Sequence, residues 1–343
     1  MFKNKTNQVY TDVELGVNYV THIYTIAEAG FEDKDYLTKY GDTISIADKE
    51  YLNEHSRFMS FTRKDHGPFA GQLFFIPSYF NMRTKKNYEN YFQAWIQAIK
   101  EKSFLYLEKY QCFNHDYREM FKADSEKWEK ILEIEPIYNR IGKIYVDNIE
   151  NYCNNVWPEI RPRLLKKSQE LNKKIEKNLI LKWEKITGYK FKKDAYCILL
   201  FYAGANGPSF NNLSLDKNTA FYNYNEKYML DMISHELGIH ILLPYLSKAI
   251  NKFERNISRI NNPEIYGNVS YIALESLATF YNMEVFNRET MDIHSSNDYN
   301  KFSSIYSELY HINLDPLSIY EKGVEEYIKD LKVDYESEDC YFK

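Results

Sequence analysis

The chain has 343 residues, 44% hydrophobic and 27% charged, which allows one large domain or two ordinary ones with a packed core and argues against global disorder. A formal net charge of −5 lacks the basic footprint of a nucleic-acid binder. The four cysteines (Cys112, Cys153, Cys197 and Cys340) form no C-x-x-C pair, so neither a thiolate zinc site nor a disulfide framework is expected.

The start, Met1 to Lys5, is polar and has no apolar signal region. No apolar run approaches the roughly 18 residues that a membrane span needs, so the expectation is a cytoplasmic chain with no membrane partner. Aromatics are abundant, with 32 Tyr and 21 Phe, as the codon usage of an AT-rich genome would give; Tyr is amphipathic, so many of these rings can cover surface with a wet hydroxyl.

In chain order, Asp12 to Glu28 carries a broad apolar stripe (Val13, Leu15, Val20, Ile23, Ile26) and reads as helix. A second helix is expected near Ile46 to Phe58, then a turn around His66, Gly67 and Pro68. Gln72 to Tyr79 is apolar and reads as a strand or a buried segment, and Tyr88 to Lys109 as helix. Tyr117 to Thr187 is strongly helical, with breaks expected near Pro136 and around Pro158 and Pro162; Asn154 to Trp183 reads as one long helix. The Lys-rich stretch Leu164 to Lys177 also carries Glu and reads as a solvated face.

The period then changes. Ala195 to Ala203 is an apolar run bounded by turn residues, a strand signal, and Thr219 to Asn223 is a second short strand. Asn225 is a plausible N-cap for a helix through Leu237. Asn268 to Asn287 is another helix, and two or three more precede the acidic Asp334 to Asp339. This order gives an α+β chain, predominantly helical, with a small sheet flanked by helical lobes. A boundary near residue 150 is compatible with it but unmarked by composition.

One segment carries chemistry: His235-Glu236-Leu237-Gly238-Ile239-His240. Zinc peptidases place H-E-x-x-H on a helix, the two His sharing a face on the metal and the Glu acting as general base. Here the second His is one residue late. On a regular helix i+5 lies about 140° from i, so both rings reach one metal only across an extra residue, as in a π-bulge. Gly238 would ease that distortion. Two other readings stay open: His235 and His240 as ordinary helix residues, and Glu236 with His240 as the sharing pair at i and i+4. A third ligand is expected on another element; Glu275, on the otherwise apolar stretch Tyr271 to Phe280, is a carboxylate costly to bury unless paired or metal-bound.

His235-Glu236 with His240, followed by Glu275, resembles the glutamate-ligand branch of zinc metallopeptidases, the gluzincins. Glu275-Ser276-Leu277-Ala278 is similar to their E-G-x-A pattern, with Ser in place of Gly. The six-residue spacing resembles dipeptidyl peptidase III, although Gly238 stands two residues before His240 rather than one, and this chain is far shorter. The resemblance covers roughly residues 195–285. It implies a zincin-like catalytic domain over 151–343 after a helical N-terminal lobe over 1–150, or one continuous domain. It implies one Zn²⁺ per chain held by His235, His240 and Glu275, with Glu236 taking the proton of the attacking water as a peptide bond is cut. Tyr310 and His311 are the oxyanion-stabilising candidates it suggests.

The partner is then a peptide or protein substrate, its backbone able to approach the Ala203 to Gly207 edge, unless that stretch is a plain turn. A related expectation is an amidase or maturation enzyme for one small peptide. The expectation from another class is a non-catalytic helical scaffold that binds a partner. The remaining histidines (His22, His55, His66, His115, His294) show no ligand spacing with each other.

Overall fold

The computed structural model describes residues 8–31, 33–62, 65–66, 71–80, 82–110, 125–204, 216–257, 269–288 and 297–330. The elements in chain order are β1 (Gln8–Asp12), α1 (Leu15–Ile26), α2 (Lys34–Tyr40), α3 (Ile46–Glu54), β2 (Phe61–Thr62), β3 (Asp65–His66), α4 (Ile76–Tyr79) and α5 (Lys85–Glu101). They continue as α6 (Ser125–Asn155), α7 (Trp157–Lys174), α8 (Leu179–Thr187), β4 (Ala195–Phe201), β5 (Lys217–Phe221), α9 (Glu226–Ile257), α10 (Val269–Phe286), α11 (Asn297–His311) and α12 (Pro316–Asp330). The chain is α+β and mostly helical, and among the described residues no helix is long and apolar enough to cross a membrane.

Two compact units divide the chain discontinuously. One comprises Met1–Val9, Lys174–Tyr196 and Asn225–Lys343; the other comprises Tyr10–Lys173 and Cys197–Tyr224. Residue 150 lies inside α6, within the second of these.

The unit built on Tyr10–Lys173 is organised around α1, whose residues from Gly16 to Ile26 are all buried. A helix apolar all round belongs in a core. Its Asn18 behaves like an added strand residue: Nδ2 donates to Leu200 O and Oδ1 accepts from Tyr202 N, at the end of β4. The sheet order is β1-β4-β5, with β4 and β5 parallel and Leu199 opposite Thr219.

Tyrosines fill this core rather than covering its surface. Tyr19, Tyr88, Tyr145 and Tyr152 are buried, with ring centroids of the last three 5.1–5.8 Å from Tyr19. Some of the buried hydroxyls find main-chain acceptors: Tyr19 donates to Tyr145 O at 2.6 Å and Tyr91 to Gln72 O at 2.6 Å.

The expected helices near Asp12, Ile46 and Tyr88 are present, the last ended by Lys102 at φ 50°. Of the two readings of Gln72 to Tyr79 the buried segment holds: it is a buried π-turn (Gly71–Phe75) running into α4, and an apolar run shows no period that separates this from a strand. Two expectations differ. Pro136 breaks nothing: α6 runs through it, with Tyr138, Ile141 and Tyr145 buried beyond it. Asn154 to Trp183 is not one helix but the end of α6, then α7 and α8. The turn at Gly67 and Pro68, residues 117–124, residues 205–207, His115, His294 and the acidic 334–339 lie outside the described residues.

The other unit packs α8 and α9 against α10, with α11 and α12 completing the bundle. Tyr306 Oη donates to Ala273 O and Tyr320 Oη to Ser270 O, both at 3.0 Å, tying α11 and α12 to α10.

Candidate metal centre

Helix α9 starts where Asn225 Oδ1 accepts from Tyr228 N at 2.8 Å, the cap the sequence leads one to expect. From Met232 to Leu242 every side chain but Glu236 is buried, so here the helix is apolar nearly all round and its few polar groups must find partners inside the protein. Several find them on or just after α10, which runs antiparallel: Asp231 lies beside Asn282 and Arg288, and His235 beside Glu275 and Thr279. Asn282 Nδ2 donates to Asp231 O at 3.0 Å and Arg288 pairs with Asp231 Oδ1 at 2.5 Å.

The second of these crossings matters most. His235 Nε2 lies 2.7 Å from Glu275 Oε2, and both residues are buried, 1% and 5% exposed. Thr279 Oγ1 donates to Glu275 O at 2.9 Å and lies 3.3 Å from His235 Nδ1. With its only proton on the carbonyl, the hydroxyl receives that of Nδ1. Nε2 is thereby left to face the carboxylate, with a single proton between them. Burial pushes the His235 imidazole down, but the hydrogen bond and charge of Glu275, helped by Glu236, outweigh it, and the net shift is up.

A metal ion would replace that shared proton. A metal-bound imidazole needs its other nitrogen secured by an acceptor, which Thr279 supplies. His235 and Glu275 therefore suit a metal. His240 does not join them. Also 1% exposed, it sets its ring edge-on to Tyr196, centroids 4.7 Å apart. Among the described residues no group of three His, Cys, Asp or Glu side chains comes together that could hold a metal ion. The arrangement does not fit a catalytic zinc with three protein ligands and an open position.

The cause is local. Helix α9 is α-helical throughout, so the expected extra residue between His235 and His240 is missing. Gly238 serves another purpose. A Cβ there would sit 2.1 Å from Cη2 of Trp183, so glycine is what lets the indole of α8 lie against α9. Trp183 Nε1 then donates to Ser234 Oγ at 2.9 Å, so the indole spans Ser234 and Gly238, one turn apart.

Glu236 is half-buried next to His235. Tyr310 packs edge-on to Phe280 and Tyr281, and His311 is exposed. Among the described residues neither hydrogen-bonds to the His235–Glu275 pair. A cleft of about 620 Å³ opens along α10 and α11 past Phe280, Met283 and Ser304, and the pair is not part of its lining. Sequence reasoning missed Thr279, Trp183 and Asp231; only the spacing of Thr279, one turn after Glu275, could have pointed to one of them. No family model, curated protein or solved structure matches the chain.

Proposed function

We propose that this chain is a metal-dependent hydrolase of peptide bonds, with zinc held by two protein donors, His235 and Glu275, and not by His240, which packs on Tyr196. The observation that supports this best is the meeting of His235 Nε2 and Glu275 Oε2 inside the protein, from two helices, with Nδ1 already held by Thr279. Two donors of a zinc set are thereby oriented at one point. Glu236, the next residue and the less buried one, is the carboxylate available to take a proton from water and pass it to the leaving amine.

Elemental mass spectrometry of the purified protein tests the reading. About one zinc per chain is expected in the wild type and none in Glu275→Ala. Glu236→Gln should keep the metal and lose peptide cleavage by roughly 10²-fold or more. A wild type without stoichiometric metal, even after reconstitution with zinc, would sink the proposal.

A second reading has its own observation. The regular α9 and the Tyr196–His240 packing suit a non-catalytic helical scaffold in which the His235–Glu275 pair is a buried structural contact. On that reading zinc is absent and Glu236→Gln changes nothing measurable.

A further inference from the structure

We propose that Tyr36 is a redox-active tyrosine: it gives one electron to a small radical oxidant of the peroxyl type at the surface, passes its proton to His22, and stays inside the protein as a neutral phenoxyl radical. The site lies in the unit built on Tyr10–Lys173 and is independent of the His235–Glu275 pair.

The hydrogen bonds fix the direction of the proton. Tyr36 Oη lies 2.9 Å from His22 Nδ1, and both residues are buried. On the other side of the imidazole, Thr43 Oγ1 donates its only proton to Tyr40 O at 2.5 Å and lies 3.3 Å from His22 Nε2. The Thr43 hydroxyl therefore accepts from Nε2, which carries the ring proton, and Nδ1 presents a lone pair to the phenol. Burial, then Tyr40 and the Asp33 carboxylate, push the Tyr36 phenol up, so at rest it keeps its proton. Burial also pushes the His22 imidazole down, so the acceptor is open at neutral pH.

Loss of an electron turns the phenol into a radical cation, a far stronger acid than any imidazolium. Its O–H bond breaks and the proton bonds to Nδ1. The peroxyl takes the electron and, with a proton from water, leaves as the hydroperoxide. One electron returned by a small thiol draws the His22 proton back to oxygen. The imidazolium formed in between has the Tyr152 ring centroid at 4.8 Å, within reach of a cation–π contact.

Tyr36 is buried, so the electron needs a way out, and a ladder of rings supplies it. The Tyr36 centroid stands 6.1 Å from that of Tyr202, which stacks on Tyr222 at 4.5 Å, and both outer rings are only half-buried. Arg163 Nη1 donates to Tyr202 Oη at 2.9 Å, and its charge opposes a cation on that ring. A hole entering at Tyr202 is thus relayed inward to the phenol that has a base beside it.

The test uses full-length protein with photo-oxidised ruthenium tris-bipyridine as the one-electron oxidant, and follows radicals by electron paramagnetic resonance. The wild type should give a long-lived tyrosyl radical that forms more slowly in D₂O, with a high-field spectrum showing an oxygen hydrogen-bonded to a cation. Tyr36→Phe should abolish that component. His22→Gln, which can still accept the phenol's hydrogen bond but cannot take its proton, should abolish it too. Tyr202→Phe should slow its formation and leave its spectrum unchanged. A long-lived radical that survives Tyr36→Phe or is untouched in His22→Gln overturns the proposal. So does a wild type with short-lived signals only, a result that does not depend on any variant folding.

Discussion

Two residues illustrate how far a side chain's chemistry depends on what encloses it. His22 is 1% exposed, with Nδ1 2.9 Å from Tyr36 Oη and Nε2 3.3 Å from Thr43 Oγ1, and burial pushes its imidazole down to about 3. The folded chain thus refuses a proton that the unfolded chain accepts near the ordinary value of 6.5. Stability is therefore fully present above that value and drains away as pH falls from there toward 3, by about 1.4 kcal/mol per pH unit from this group. His22→Phe, measured by urea unfolding from pH 7 to 4, should show a shallower slope than the wild type even if it is less stable at neutrality. An unchanged slope would mean that His22 is protonated in the folded state. Gly238 makes the converse case. Glycine costs a helix about 1 kcal/mol against alanine, so propensity alone predicts that Gly238→Ala stabilises. The 2.1 Å approach of its new Cβ to Trp183 should win, giving a net loss of about 1–3 kcal/mol by urea unfolding. Combining it with Trp183→Leu should recover part of that loss through their coupling.

At the scale of elements, the α9–α10 crossing joins two polar contacts on otherwise apolar helices, and each should be worth measuring. Asp231 has a side chain 4% exposed and its partner Arg288 one 41% exposed, so the pair is half in water and its charge is partly screened. Arg288→Met leaves a buried carboxylate with Asn282 engaged only at its main chain, and should cost about 1–3 kcal/mol. A double-mutant cycle with Asp231→Asn should show most of that cost as coupling, and independent effects would contradict the pairing. These helices were legible beforehand because their signals are local: an Asn225 cap, an apolar run of helical length, and a lone Glu275 among aliphatic neighbours. The Glu275–His235 meeting followed from the cost of burying that carboxylate. What was illegible depended on a neighbour: Gly238 reads as a helix weakener until Trp183 lies on it. The same holds for Pro136, a breaker by propensity that sits inside α6 all the same. The late position of His240 was plain in the sequence; whether the helix absorbs it could not be read from spacing.

At the scale of the whole molecule, the chain passes between its two compact units at Val9–Tyr10, Lys173–Lys174, Tyr196–Cys197 and Tyr224–Asn225. Composition cannot mark such passages, because the contacts that define a unit join residues far apart in sequence. Thr11 shows it: its N–H donates to Asn172 Oδ1 at 2.7 Å and its hydroxyl meets Ser168 Oγ at 2.9 Å, across some 160 positions. The sheet has the same character, since β1 pairs with β4 from the far side of eight described α-helices. A cut near residue 150 falls inside α6 and separates residues that one compact unit holds together. A fragment spanning 151–343 keeps β4 and β5 but loses β1, and keeps α7 but loses the Thr11 that Ser168 and Asn172 hold. It also strips α1 from Leu200, leaving main-chain groups that Asn18 satisfies exposed at the end of β4. The expected outcome is a fragment that aggregates or elutes as an expanded species, with little protection of its amides against hydrogen exchange. A monomeric fragment with sharp, cooperative unfolding would show that the Lys174–Tyr196 and Asn225–Lys343 segments carry their fold without the rest. The His235–Glu275 pair, which lies wholly within those segments, could then be studied in isolation.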